Sequence, residues 1–88
     1  MNYTEAVLSN IDKLVGTLKP EKELVEVLKR KFTKKEFKIF SAFESGLTVE
    51  EIQDDIKDDE DRINEIYEAA IKKLNQEKTK KELIERDL

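Results

Sequence analysis

Apolar residues along this chain recur at three- and four-residue intervals, and nowhere do they alternate with polar ones over a strand's length. Residues 2 to 18 set Tyr3, Val7, Ile11, Leu14, Val15 and Leu18 on one stripe, behind Asn2 and Glu5 at capping-box spacing. That pattern predicts a first helix ending near Leu18, with Gly16 in its last turn. Pro20 opens a second helix whose apolar side is Leu24, Val25, Leu28 and Phe32. Thr33 and Glu36 cap a third, with Phe37, Phe40 and Phe43 inward beside Ile39, and Ser45-Gly46 stops it. Thr48 and Glu51 repeat the box before a short fourth helix that buries Val49, Ile52 and Ile56 and ends at Lys57. Asp58 and Asp59 cap a fifth, in which Ile63, Ile66, Tyr67, Ala70, Ile71 and Leu74 recur at helical spacing. The tail from Gln76 to Leu88 permits a helix but is weakly patterned.

The expected fold is therefore all-α, with about five helices and no Asn-Gly or Asp-Gly hairpin signal. Three stretches follow: an N-terminal helical pair over 1–31, a three-helix unit over 32–75 and a C-terminal tail over 76–88. A short helix, a tight turn and a longer amphipathic helix running from Thr48 to Leu74 make the helix-turn-helix plan.

Composition narrows the chemistry. The 88 residues include no Cys and no His, which removes disulfides, thiolate nucleophiles, imidazole bases and the usual zinc ligands together. Paired carboxylates on a solvent face lack the concave site that splits their pKa values, so an enzyme is not expected, and no cofactor is implied. The run of Asp54, Asp55, Asp58, Asp59, Glu60 and Asp61 lacks both the spacing and the Gly of a calcium loop. No membrane span or secretory signal is evident, and a cytoplasmic location is the expectation.

Charge is sorted along the helices. Segment 19–38 carries +4 and segment 47–68 carries −8, within a chain of net charge −4. The basic group Lys29, Arg30, Lys31, Lys34, Lys35 and Lys38 reads equally as a solvated face, a phosphate grip or a contact for an acidic protein surface. The Phe set at helical spacing reads as core before it reads as a stacking platform for bases.

From Phe32 to Leu74 the sequence resembles region 4 of RNA polymerase sigma factors of the sigma-70 class. The matching stretches are Phe32-Thr33-Lys34-Lys35-Glu36, Gly46-Leu47-Thr48-Val49-Glu50-Glu51-Ile52, Arg62-Ile63 with Ile66, and Ala70-Ile71-Lys72-Lys73-Leu74. It departs at Gln53, where the family typically has a small residue, and at Lys57-Asp58, where the turn often has Gly and an apolar residue. The resemblance implies transcription-related work and a fifth helix that enters the major groove of DNA through Glu60, Asp61, Asn64 and Glu65. It also implies RNA polymerase as a partner.

The would-be reading face runs against that role. Six carboxylates from Asp58 to Glu68 oppose Arg62 alone, about −5, where phosphates and guanine edges present acceptors. The leading expectation is a transcription-associated module whose Glu60, Asp61, Glu65 and Glu68 contact a basic partner surface or RNA polymerase. A second reading is direct DNA binding, with Lys34, Lys35, Lys38 and C-terminal lysines on phosphates and Arg62 and Asn64 at a base edge. A third is architectural: the N-terminal pair dimerises or covers the apolar side of the rest.

Overall fold

The structure is a computed structural model that describes residues 2 to 85. The part of the tail from Arg86 to Leu88 lies outside the described residues. Helices α1 (Tyr3–Asn10), α2 (Glu21–Lys31), α3 (Lys34–Glu44), α4 (Val49–Ile56), α5 (Glu60–Leu74) and α6 (Glu77–Leu83) follow in order, with no strand among the described residues. The all-α class stands; the helix count is six, because the weakly patterned tail forms α6. That helix has no side-chain N-cap and is held from outside, by its buried Leu83 and Thr79.

Capping residues set most of the boundaries. Thr33 Oγ1 accepts from the Glu36 N–H at 3.1 Å while Glu36 Oε1 accepts from the Thr33 N–H at 2.8 Å, and Thr48 and Glu51 repeat the reciprocal pair. Helix α3 ends in a Schellman motif: Gly46 N–H reaches Phe43 O at 3.0 Å and Leu47 N–H reaches Ala42 O at 3.1 Å. Gly46 sits at φ +91°, in the left-handed region, yet a Cβ there would touch nothing, so the demand for glycine is purely backbone. Asp59, rather than Asp58, caps α5 by accepting from Arg62 N–H at 2.8 Å.

The first helix departs from the expected 2–18 stripe. It stops at Asn10, and residues 11–19 run as an irregular strap with Lys13 and Gly16 at positive φ. The backbone groups that a longer helix would satisfy internally are taken by the far end of the molecule. Asn75 Nδ2 donates to Asn10 O at 3.0 Å and Asn75 Oδ1 accepts from Asp12 N–H at 2.7 Å. Further along, Lys19 N–H reaches Leu83 O at 2.9 Å and Glu85 N–H reaches Thr17 O at 2.8 Å, around an isolated Leu18–Ile84 antiparallel bridge. Ile11, Leu14 and Leu18 are half-buried in the strap, but Val15 is 83% exposed, so the stripe does not share one face. In α2 the buried side includes Val27 as well as Leu24 and Leu28, while Val25 is half-buried.

Two apolar clusters hold the helices, in keeping with an elongated body of 46 × 21 × 20 Å. The first joins Val7 of α1, Leu24 and Leu28 of α2, Phe40 of α3, Leu74 of α5 and Leu83 of α6. The stretches 1–31, 32–75 and 76–88 thus all feed one core. The second is an isoleucine core of Ile39, Ile52, Ile63 and Ile66, which clamps α3, α4 and α5 together. Tyr67 packs against both clusters and Phe43 lies against it at 4.7 Å between centroids. Each fully buried Leu or Ile contributes about 1.5–3 kcal/mol by leaving water.

Candidate functional site

The segment expected to form a helix-turn-helix consists of α4, a turn at Lys57–Asp59, and α5. Lys57 takes the left-handed conformation at φ 66° and its N–H closes on Gln53 O at 2.9 Å. A non-glycine residue therefore makes the turn that a glycine makes most cheaply. Gln53 is half-buried and its amide donates to Asp58 O at 3.4 Å, spanning the turn it would otherwise crowd. Asp58 is half-buried, and its carboxylate is paired with the Lys35 ammonium of α3.

That pairing has a neighbour one turn on: Lys38 Nζ lies 3.2 Å from Asp55 Oδ2 of α4. The acidic 47–68 segment and the basic 19–38 segment are thus joined within one molecule along the α3 seam. Two of the lysines proposed as phosphate grips, Lys35 and Lys38, already face carboxylates, whereas Lys34 is exposed without one among the described residues.

On α5, Ile63 and Ile66 point into the isoleucine core, which turns the positions between them outward. Glu60, Asp61, Asn64, Glu65 and Glu68 are all exposed. The one cation in that run, Arg62, is exposed and reaches across a turn to Glu65 at 3.4 Å. The outward surface of the first three turns of α5 is therefore anionic, and its single guanidinium is directed at a neighbouring carboxylate.

Three further polar joints fix the frame behind this face. Glu36 is buried and serves twice, in the α3 cap and as the acceptor for Lys73 Nζ at 2.6 Å. Burial works to raise its pKa, but the hydrogen bond from Lys73, the Thr33 N–H and the Lys73 charge outweigh it and hold the carboxyl below its ordinary value. Glu44 at the end of α3 collects the Tyr67 hydroxyl at 3.2 Å and the Asn10 amide, tying α1, α3 and α5. Burial and the adjacent Glu44 charge push the Tyr67 phenol up to about 12. Glu82 of α6 accepts from both Lys31 and Arg30 of α2, which lowers its carboxyl to about 2. The capping role of Glu36 is visible in the sequence. Its bond to Lys73, and the joints at Glu44, Asn75 and Glu82, have no local signal, because their partners lie 23 to 65 positions away.

Among the described residues no group of three or more acidic side chains converges to hold a metal ion, and no helix is long and apolar enough to cross a membrane. No family model, curated protein or solved structure matches this chain.

Proposed function

We propose that this chain is a transcription-associated helix-turn-helix module, resembling sigma region 4, that acts through protein contacts rather than by reading DNA. The observation that carries this reading is the outward face of α5, where Glu60, Asp61, Glu65 and Glu68 are exposed and Arg62 is engaged with Glu65. Such a face repels phosphate within a Debye length of about 8 Å and has no counterions to release from a duplex. It suits a basic protein surface, on RNA polymerase or another partner, that a nucleic acid would otherwise occupy. Lys35 and Lys38, two of the cations on which a phosphate-gripping role would draw, already have carboxylate partners within the molecule.

The test begins with anisotropy of a labelled duplex near ~50 mM salt, where electrostatic affinity is most generous. Absence of binding, together with RNA polymerase retention that is lost on reversing Glu60, Asp61, Glu65 and Glu68 to Lys, is the expected result. Duplex binding that collapses as salt rises would replace this reading with direct DNA recognition through Lys34 and its neighbours. Light scattering at two protein concentrations tests the architectural, dimeric reading.

A further inference from the structure

At the α2–α3 junction, Lys29, Phe32, Thr33, Lys34 and Phe37 line a hollow that contains two lysines and no carboxylate. Its floor is aromatic: Phe32 is 5% exposed, and half-buried Phe37 stacks on Tyr3 with centroids 5.7 Å apart. Lys29 Nζ stands 5.7 Å above the Phe37 centroid, so its charge is held over the floor.

What distinguishes these two lysines is their lack of internal partners. In the basic group, Arg30 and Lys31 meet Glu82, Lys35 meets Asp58 and Lys38 meets Asp55. Among the described residues Lys29 and Lys34 have no carboxylate at ion-pair distance. An incoming anion therefore displaces no internal carboxylate from either of them, and an apolar group beside that anion covers the part of Phe37 still open to water, Phe32 being buried beneath.

We propose that this hollow docks a short acidic peptide segment of another protein, with one apolar anchor side chain seated on Phe32 and Phe37 and flanking carboxylates on Lys29 and Lys34. The surroundings favour that occupant over two others. The adjoining hollow, which shares Lys29, is lined by Glu21 and Glu26 with Lys22, so its charges balance and a polyphosphate chain long enough to fill both would gain no net attraction there. The acidic α5 face of a second copy carries no exposed large apolar side chain to act as the anchor, since those among the described residues are Leu8, Val15 and Leu47. Charge without an anchor leaves the floor uncovered.

The experiment is a titration of the full chain into a fluorescein-labelled peptide of Asp and Glu with a single central Leu, read by anisotropy and by the chemical shifts of the Phe37 ring. Binding is expected to fall about tenfold or more when the peptide's Leu is replaced by Ser, and about tenfold or more in K29E/K34E, both positions being exposed. The variant with Glu60, Asp61, Glu65 and Glu68 changed to Lys should bind the peptide undiminished, which separates this site from the α5 face. Unaltered affinity in K29E/K34E, or indifference to the anchor, overturns the proposal. So does displacement of the peptide by a single-stranded oligonucleotide that moves the Phe37 ring in the same way, which would assign the hollow to nucleic acid.

Discussion

Lys73 Nζ, in the last turn of α5, donates to Glu36 Oε1, in the first turn of α3, at 2.6 Å. Glu36 is thereby both the cap of one helix and the counter-ion of another, and the carboxylate is the charged form in both roles. Its folded pKa lies below the unfolded value of 4.5, so it adds stability that is fully present above that pH and is lost as pH falls through the folded value. Glu36→Gln keeps a capping amide but loses the charge-assisted bond, and is expected to cost about 1–2 kcal/mol near neutrality. Urea unfolding at neutral pH and again well below 4.5 checks this, with the gap between wild type and variant closing in acid.

Asn75 is the clasp of the N-terminal strap. Its side chain accepts from Asp12 N–H at 2.7 Å and donates to Asn10 O and Ile71 O, each at 3.0 Å. Asn75→Ala takes this partner from Asp12 N–H and Asn10 O, while Ile71 O keeps the backbone N–H of residue 75 at 3.2 Å, and is expected to destabilise by about 0.5–1.5 kcal/mol. Hydrogen exchange supplies the specific signature: the amide of Asp12 should lose protection more than those of α3, and equal loss everywhere would contradict the clasp.

Two left-handed residues give opposite predictions. Gly46→Ala meets no steric obstacle but forces a Cβ into φ +91°, at a cost of about 1–2 kcal/mol. Lys57→Gly relieves the same strain at the end of α4 and should raise stability by about 0.5–1 kcal/mol. Thermal melts of the two single variants should move in opposite directions.

Tyr67 links the two cores and donates to Glu44 at 3.2 Å. Its folded pKa of about 12 exceeds the unfolded 10.0, so the associated stability is complete below pH 10 and disappears as pH climbs towards 12. An ultraviolet titration of phenolate should show a late component in wild type that is absent in Tyr67→Phe. Ionisation of Tyr67 near 10.0 would remove the joint.

Much of the helical order was legible locally. Thr33 with Glu36, Thr48 with Glu51, and Gly46 carry their instructions within a few residues, because caps satisfy backbone groups of the adjoining turn. The alternation of exposed acids with Ile63 and Ile66 likewise made the outward set of α5 readable from helical spacing alone.

The first helix shows where that legibility stops. Its apolar period continues through Ile11, Leu14, Val15 and Leu18, yet the chain leaves the helix at Asn10 because Asn75, Leu83 and Glu85 offer the strap's backbone other partners. The sequence by itself determined the all-α class, the caps and the acidic surface of α5, since each depends on neighbours within about one turn of the chain. Only the tertiary structure decided that two lysines of the basic segment pair with two carboxylates of the acidic one, Lys35–Asp58 and Lys38–Asp55, and that Lys29 and Lys34 stand apart. Those outcomes depend on which helices pack together, and a period of 3.6 residues says which face is buried without saying against what.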